Sequence, residues 1–304
     1  MASKTGGVKR TLGTSSPFSK LARETNQSPE LRRPLIEDLE RHFDARVVLF
    51  FTSFSDFKTQ ITDDDAEMLE SILAAEHDGK KLVLVVNSPG GQALAAERMA
   101  NLCRQYSAED GFEVVVPHMA KSAATMICFG ADKIHMSRTA ELGPVDPQVT
   151  YKDDFGIERW ISAEEYVRAY DDLMDKGTKS GAKNIEPFLQ QLNRFDARYI
   201  EALKSAQKLS EDISVSLLRS GMMKGKTEAA VKKAIAVFLK QQATQSHGRM
   251  ISHDGAKACG LNVDLIDLYS PLWNTIWELY VRADWAVTRV HRKLIESSTS
   301  SVHN

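Results

Sequence analysis

The stretch LVLVVNSPGGQALAAERMA, residues 82–100, decides the fold class of this chain. It begins with an apolar and largely β-branched run, which predicts a buried strand. The adjacent glycines of NSPGG then mark a turn, and Ala95, Met99, Leu102 and Tyr106 follow at the spacing of one apolar helix face. A strand, a short turn and a helix in this order are typical of a βαβ crossover unit.

The neighbouring segments repeat this order. RVVLFF (46–51) predicts an earlier strand, and a capping box formed by Thr62 and Asp65 predicts the start of the helix after it. FEVVV (112–116) predicts a third strand, and HMAKSAATMICFGAD (118–132) adds a polar entry followed by a small, apolar helical run. Strands that alternate with helices predict an α/β fold with a mostly parallel sheet that is covered on both faces.

Beyond residue 150 the sequence is largely helical. Ser162 and Glu165 predict one helix start, and a final helix rich in aromatic residues is predicted around Leu272–Val287. The N-terminal 33 residues hold seven Lys or Arg against two Asp or Glu and few large apolar groups, which predicts a disordered basic tail. The predicted divisions are this tail at 1–33, an α/β domain at 34–268 with a helical excursion at 184–240, and a C-terminal helix and tail at 269–304.

Composition excludes several classes of function. A net charge of −2 argues against nucleic acid as a partner, because nucleic-acid-binding proteins usually carry a strong basic excess. No apolar run is long enough to predict a membrane span. Cys103, Cys128 and Cys259 lack the spacing of a metal site and suit a reducing cytoplasm, and no Gly-rich phosphate loop is present. We therefore expect a cytoplasmic protein without a metal or a cofactor.

Ser122 stands at the predicted start of a helix, a position that can favour reaction at its hydroxyl. A helix N-terminus carries unpaired N–H groups and partial positive charge, which can stabilise an oxyanion. The turn Ser88-Pro89-Gly90-Gly91 offers donors of the same kind, and both turns follow strands of one parallel sheet. Taken alone, Ser122 also fits an ordinary N-cap and PGG an ordinary turn. Their combination predicts a nucleophile beside an oxyanion hole.

The joint pattern of VVNSPGGQALAAERMA (85–100) and AKSAATMICFGADKI (120–134) resembles the Clp-fold serine peptidases, the group of the Clp protease subunit and signal-peptide peptidase A. AELGPVDPQV (140–149) resembles the serine dehydrogenase proteinase branch in particular. SHGRMISHDGAKACGLNVDLI (246–266) resembles the closing segment of the fold. The resemblance implies a Clp/crotonase-like superhelix of βαβ units with a mostly parallel sheet and a helical C-terminal half.

The resemblance also implies roles for individual residues. It makes Ser122 the nucleophile of a serine endopeptidase and the N–H groups of Gly90 and Ala123 its oxyanion hole, with Gly91 shaping the turn. The expected reaction is attack on a peptide carbonyl, formation of an acyl-enzyme and its hydrolysis. The substrate would be a peptide or an unfolded protein.

The general base is where the chain departs from the family pattern. The segment that carries the catalytic histidine in the Clp subunit has Asp146 here, and the position of the triad carboxylate is filled by Gly248. His247 stands next to it, so a triad of Ser122, His247 and Asp146 with two roles exchanged is one solution. The alternative is a Ser–Lys dyad with Lys179, because GTKSGAKN resembles the lysine segment of signal-peptide peptidase A. The remaining candidates for the base are Lys152, Lys176 and His135.

Some expectations concern surroundings and partners. Lys121 is expected to point to solvent, and His118 to end a strand. The family implies a homo-oligomer, a trimer or larger ring, with a separate unfoldase or adaptor as a further partner. Two alternatives remain open at this point: a crotonase-like acyl-CoA enzyme, which shares the fold and uses paired N–H groups, and a non-catalytic oligomeric scaffold.

Overall fold

The strands of the protein form one large sheet and two short pairs. The computed structural model describes residues 16–21, 28–55, 59–76, 78–109, 111–152, 155–180, 185–239 and 249–303. Its strands are β1 (Ala45–Thr52), β2 (Lys81–Asn87), β3 (Phe112–Val116), β4 (Met119–Ala120), β5 (Lys133–Met136), β6 (Glu141–Leu142), β7 (Gln148–Lys152), β8 (Glu158–Ser162), β9 (Val263–Leu265), β10 (Lys293–Glu296) and β11 (Ser301–His303).

The helices occupy the connections between these strands and most of the second half of the chain. They are α1 (Pro17–Leu21), α2 (Arg33–Phe43), α3 (Asp63–Ala75), α4 (Ala93–Gln105), α5 (Ala123–Phe129), α6 (Ala163–Ser180), α7 (Glu186–Leu192), α8 (Ala197–Ser220), α9 (Glu228–Ala234), α10 (Ala236–Leu239), α11 (His253–Ala258) and α12 (Pro271–Arg289). Within the ranges given above, no helix is both long and apolar enough to cross a bilayer.

The large sheet has the strand order β11-β10-β1-β2-β3-β5-β9. Every neighbouring pair from β1 through β9 is parallel, whereas β10 pairs antiparallel with both β1 and β11. Parallel neighbours require crossover connections, which α3, α4 and α5 supply. The predicted α/β fold with a mostly parallel sheet is therefore confirmed.

Strand β1 shows why the sheet is covered on both faces. All of its residues are buried, and alternate side chains enter different layers. Val48 and Phe50 pack with the helices α3, α4, α5 and α8, while Val47, Leu49 and Phe51 pack with α2 and α12. A strand buried on both sides reads as one continuous apolar run, which is how it appears in the sequence.

The helix starts follow the capping residues that the sequence predicts. Thr62 and Asp65 form the capping box of α3, with the Thr62 N–H donating to Asp65 at 2.8 Å. The Ser162 hydroxyl accepts the N–H of Glu164 at 3.1 Å at the start of α6. The final helix begins one residue before its predicted start, at Pro271, and ends two residues after its predicted end, at Arg289.

The C-terminal residues are part of the same sheet. Residues 269–304, which the sequence separates from the α/β domain, contribute α12 to one face, and they add β10 beside β1 with Glu296 opposite Leu49. The sequence KLIE of β10 has one apolar pair between two charged residues, too short a pattern to predict a strand. Both charged residues are nevertheless buried, because Lys293 pairs with Asp65 and Glu296 pairs with Arg32.

Parts of the predicted basic tail have a defined place. Helix α1 lies against α12, where Lys20 pairs with Glu278 at 2.7 Å and the Phe18 ring meets the edge of Trp277. The predicted disorder of residues 1–15 and 22–27 falls outside the described residues. The predicted helical excursion corresponds to α7–α10, and α8 packs against α4, α5 and α6.

Replacing Lys293 with methionine is expected to lower the free energy of unfolding by about 3–5 kcal/mol, because it leaves the Asp65 carboxylate buried without its cation. The Lys293 Nζ lies 2.7 Å from Asp65, whose side chain is 0% exposed. Lys80→Met is the matched control, since its pair with Asp78 is solvated and worth less than about 1 kcal/mol. Urea denaturation measures both variants, and equal effects would contradict the expectation.

Candidate active site

Pairing continues beyond the ends of β2 and β3 and brings two turns together. Ser88 and Ala120 form a parallel bridge in which the Ser88 N–H donates to Met119 and the Lys121 N–H donates to the Ser88 carbonyl, both at 3.0 Å. The NSPGG turn and the AKS turn therefore leave the sheet side by side, at the carboxyl ends of its strands. The sequence places both turns at this edge.

The backbone of Ser122 is strained. It precedes α5 with φ 50° and ψ −121°, and among the described non-glycine residues only Asp44 shares a positive φ. Such a conformation costs of order 1–3 kcal/mol and persists only where the surroundings enforce it. Here the Lys121 carbonyl accepts the N–H of Ala124 at 2.9 Å, and the Ser122 carbonyl accepts the N–H of Met126 at 3.2 Å. These bonds fix the turn from both sides.

The Ser122 hydroxyl is not used as a helix cap. An N-cap serine normally accepts an N–H from the first helical turn, but the side chain of Ser122 makes no such bond. It lines a pocket instead. This distinguishes Ser122 from the ordinary N-cap that its sequence position also allows.

The Gly90 turn lies so close to Ser122 that a side chain could not be accommodated. A Cβ at Gly90 would lie 2.6 Å from the Lys121 carbonyl oxygen, 2.7 Å from the Ser122 Cβ and 2.9 Å from the Ala123 nitrogen. The φ of Gly90 is +102°, which side chains of L-residues rarely permit. Both facts require glycine at this position.

The Gly90 N–H is already engaged. It donates to the Ser88 hydroxyl at 3.1 Å, and that buried hydroxyl is also hydrogen-bonded to the Thr52 hydroxyl at 2.8 Å. The resemblance makes this N–H an oxyanion donor, whereas in the structure it stabilises its own turn.

Two other amide groups lie beside the Ser122 turn, and neither donates to an acceptor among the described residues. Ala123 is the first residue of α5, where an N–H has no acceptor within the helix. Gly91 bridges Ile61 through bonds made by its neighbours, the Gly90 carbonyl and the Gln92 N–H, each at 2.9 Å. The N–H of Gly91 itself is therefore directed away from Ile61.

A pocket of about 740 Å³ opens beside Ser122. It extends from the two turns to the β7–β8 hairpin and to α8, and no charged side chain lines it within the part of the chain that the structure describes. Apolar side chains and the side-chain amides of glutamines form most of its wall. The lining residues are Phe54, Ser55, Gln60, Pro89, Gly90, Gly91, Gln92, Ala93, Ser122, Met126, Val145, Pro147, Gln148, Trp160, Ala206, Leu209 and Ser210.

Asp146 lies in the loop that forms one wall of this pocket. Its neighbours Val145 and Pro147 line the pocket, while its own side chain is buried and accepts a hydrogen bond from the Gln148 amide at 3.0 Å. The loop is fixed from behind, because the Ser210 hydroxyl donates to the Val145 carbonyl at 2.5 Å. The loop of Asp146 is thus fixed beside the pocket that Ser122 lines.

The structure does not bring Lys179 to the site. Its side chain is 74% exposed on α6 and pairs with Asp175 at 2.6 Å, so it lacks the desolvation that a lysine base requires. His135 hydrogen-bonds Glu113 at 2.6 Å and lines a different cavity. Lys176 is exposed and does not line the pocket beside Ser122. His247 and the side chain of Lys152 fall outside the described residues.

Two residues near Ser122 have contacts that the sequence does not predict. The expectation that Lys121 points to solvent is wrong: its side chain is 13% exposed and pairs with Glu141 at 2.9 Å. His118 lies between β3 and β4 and stacks on Tyr280 with ring centroids 5.2 Å apart, and burial lowers its pKa. Neither contact has a signal in the local sequence, because each partner comes from a distant segment.

Other nucleophiles and metal sites find no support in the described part of the chain. Burial raises the pKa of the Cys103 and Cys128 thiols far above neutral, so neither is an accessible thiolate. Within these ranges no group of three or more His, Cys, Asp or Glu is arranged to hold a metal ion.

A model of the ClpP-like SDH-type serine proteinases matches residues 46–280 of the chain. The chain belongs to this family. The match runs from β1 into α12, so it includes the parallel strands of the large sheet, both turns and the pocket, whereas β10 and β11 lie beyond it. The branch of Clp-fold peptidases that the sequence motifs resemble is confirmed, and a serine proteinase is the activity of the family.

Two curated relatives come from the archaeon Methanocaldococcus jannaschii. The uncharacterized protein MJ1495 is 29% identical over 184 residues, which cover 58% of this chain and 62% of that protein. The uncharacterized protein MJ0137 is 43% identical over 93 residues, 31% of this chain and 32% of that protein. The chain thus spans less than two thirds of the length of these curated relatives.

Two solved structures are among those that are similar to this chain. A ClpP1 point mutant from Listeria monocytogenes matches with a TM-score of 0.37 and 14% identity, covering 77% of this chain and 98% of that one. A point mutant of the 1510-N membrane-bound stomatin-specific protease matches with a TM-score of 0.29 and 19% identity, covering 42% of this chain and 64% of that one.

Gly90→Ala is expected to lower the free energy of unfolding by at least about 1 kcal/mol more than Gly156→Ala. Both glycines have positive φ, +102° and +75°, but a Cβ at Gly156 would meet nothing within 4 Å. The comparison therefore isolates the contact with the Ser122 turn from the backbone strain. Chemical denaturation measures both, and equal destabilisation would mean that the turns are not in contact.

Proposed function

We propose that this family member is a serine endopeptidase that hydrolyses peptides or unfolded proteins, with Ser122 as the nucleophile. One observation carries the proposal: a strained serine at a helix N-terminus has a hydroxyl that does not cap its helix. This serine lines a pocket that has no charged side chain among the described residues. Strain at a single buried turn is typical of a functional site. Membership of a serine proteinase family supports the same chemistry.

The oxyanion hole in this proposal consists of the N–H groups of Ala123 and Gly91. Ala123 is the first residue of α5, where the helix dipole adds partial positive charge. Gly91 replaces the donor that the resemblance assigns to Gly90, because the Gly90 N–H is bonded to Ser88. Gly90 then supplies the space that lets the two turns meet.

The general base in this proposal is His247, with Asp146 orienting it. His247 stands four residues before Ile251 in the sequence, and Ile251 pairs with Leu142 through two backbone bonds of 3.0 Å. Leu142 in turn leads into the loop of Asp146. The closing segment, which contains His247, is therefore hydrogen-bonded to the strand that leads into the Asp146 loop. This pairing supports the proposal that His247 acts together with Asp146.

The reaction follows from these assignments. The Ser122 Oγ bonds to the substrate carbonyl carbon while its proton passes to His247, and the carbonyl oxygen becomes an oxyanion held by two amides. The C–N bond then breaks as His247 gives its proton to the leaving amine. A water molecule attacks the acyl-enzyme in the same way, and the second product leaves as an acid.

The two alternatives differ in what they require of Ser122. A crotonase-like acyl-CoA enzyme needs paired amides to hold an enolate but has no use for a strained serine, so the backbone at Ser122 favours the peptidase. A non-catalytic scaffold has no need for an open hydroxyl beside two amides that donate to no acceptor among the described residues. It is retained as the contrasting outcome of the experiment below.

We extend the proposal to assembly and location. A homo-oligomer, a trimer or larger ring, would use the helical excursion, where Leu189 and Tyr199 are exposed apolar side chains. A cytoplasmic location suits the three cysteines, none of which is in a disulfide. A separate unfoldase or adaptor would then deliver unfolded chains to the enclosed sites.

A fluorophosphonate probe is expected to label Ser122 in the wild-type protein and to leave Ser122→Ala unlabelled, because the probe reacts with an activated serine hydroxyl. Intact mass gives the extent of labelling, and peptide mapping identifies the residue. His247→Ala should slow labelling by at least about 100-fold.

Lys179→Ala is the matched control, and it should label at the wild-type rate because Lys179 is solvated on α6. If Lys179→Ala lost labelling and His247→Ala did not, the result would contradict the triad and support a dyad of Ser122 and Lys179. A folded wild-type protein that no probe labels between pH 6 and 9 would favour the scaffold.

Peptides with a large uncharged side chain before the cleaved bond are expected to be the best substrates, because the pocket wall includes Trp160, Leu209 and Phe54 and no described charge. Trp160→Ala should raise KM about 10-fold for such peptides and leave kcat almost unchanged. The reason is that the indole would bind the substrate and the transition state equally well, and both contacts are lost together. Fluorogenic peptides that vary at this position measure the preference. Equal cleavage after Asp or Lys would contradict it.

A further inference from the structure

Lys121 precedes the nucleophile directly, yet it does not line the pocket. Its Nζ lies 2.9 Å from the Glu141 carboxylate and 3.4 Å from the Leu142 carbonyl oxygen, both on β6. A lysine paired with a carboxylate is the opposite of the unpaired, desolvated lysine that acts as a base. The contacts of Lys121 instead connect the segment before Ser122 to β6.

The stem of Lys121 lies flat on the backbone of Gly143. A Cβ at Gly143 would come within 2.6 Å of the Lys121 Cδ and 3.4 Å of its Cβ. Glycine at this position thus makes room for the lysine stem, while the charged end reaches Glu141. The packing fixes the whole side chain and not only its terminal ammonium group.

The other end of the ion pair is equally fixed. The Glu141 N–H donates to the His118 carbonyl at 2.8 Å, and Glu141 lies opposite Met119 in the parallel β4–β6 pair. Its side chain is only 18% exposed. The pair therefore joins two backbone segments that are themselves hydrogen-bonded.

These two segments carry opposite sides of the proposed active site. One continues from Lys121 into the strained turn of Ser122. The other continues from Glu141 through Gly143 into the loop of Asp146. Thr125, on the helix behind the nucleophile, adds a second link. Its hydroxyl lies 2.7 and 3.0 Å from the carbonyl oxygens of Ala120 and Gly143, between which it shares its one proton, and it accepts the Gly143 N–H at 3.1 Å.

We propose that Lys121 and Glu141 are positioning residues for the peptidase reaction: their ion pair holds the Ser122 turn in register with the Asp146 loop. The inference rests on the proposed function, because it assigns a catalytic consequence to this contact. Without the pair, the Ser122 turn can relax from its positive φ and displace the hydroxyl and the Ala123 N–H together. A displacement of about 1 Å lowers the rate of such a reaction by about 100-fold.

The ion pair of Arg104 and Asp132 is a closely matched control. Its N–O distance is also 2.9 Å, and its side chains are 20% and 18% exposed against 13% and 18% for Lys121 and Glu141. It holds the opposite end of α5, where Arg104 donates to the Gly130 carbonyl at 2.7 Å. Loss of either pair removes an ion pair next to one end of α5, but only the pair of Lys121 and Glu141 adjoins Ser122.

The test compares Lys121→Met, Lys121→Arg, Glu141→Gln, Arg104→Met and Asp132→Asn in the full chain. Methionine keeps the stem over Gly143 and removes the charge. For each variant the fluorophosphonate labelling rate of Ser122, kcat and KM for a peptide, and the melting temperature are measured. Lys121→Met and Glu141→Gln are expected to lower the labelling rate and kcat by about 10- to 100-fold with KM changed less than about threefold.

Lys121→Arg should recover most of the lost kcat, because it restores the cation, and both control variants should keep wild-type kcat even where their melting temperature falls. The proposal is overturned if Lys121→Met and Glu141→Gln keep wild-type kcat, or if kcat falls in proportion to melting temperature across both pairs. Should Lys121→Met fail to fold, Glu141→Gln decides the question by itself. If the probe labels the wild type and these variants at the same rate, only the positioning role of Lys121 and Glu141 is refuted. If the probe does not label the wild type, the proposed function is refuted as well.

Discussion

The close approach of two backbone turns is the constraint on which the rest of the site depends. The strained turn of Ser122 requires a glycine at position 90. Any other residue there would place its Cβ 2.7 Å from the Ser122 Cβ, which is too close. That approach itself follows from parallel pairing, since the bridge between Ser88 and Ala120 continues the pairing past the ends of β2 and β3, displaced by two residues from the register within the strands. The sheet thus sets the geometry of the Ser122 turn directly.

Segments far apart in the sequence converge on the loop of Asp146. Leu142 pairs with Ile251, and the Val145 N–H donates to the Phe238 carbonyl at 2.8 Å. Each contact comes from a segment that follows the loop by about a hundred residues, and each fixes backbone and not only a side chain. The helical second half of the chain is therefore needed to hold one wall of the pocket as well as to cover the sheet.

Agreement between sequence and structure is greatest where local rules apply. The buried strands, the capping box of Thr62 and Asp65, and the final helix were predictable because their signals lie within a few neighbouring residues. Strand β10 was not, since its two charged ends are buried by partners from distant segments. Lys121 was misjudged for the same reason, because Glu141 reaches it only after β6 has paired with β4.

The sequence by itself determined the fold class, the nucleophile candidate and the family, because strand and helix periodicity and the two glycine- and serine-bearing turns are written in contiguous residues. The tertiary structure alone decided which groups are free to act. It showed the Gly90 N–H bonded to Ser88, the Ser122 hydroxyl not used as a cap, and Lys179 in solvent. These facts depend on burial and on hydrogen bonds between segments, which have no local pattern in the sequence.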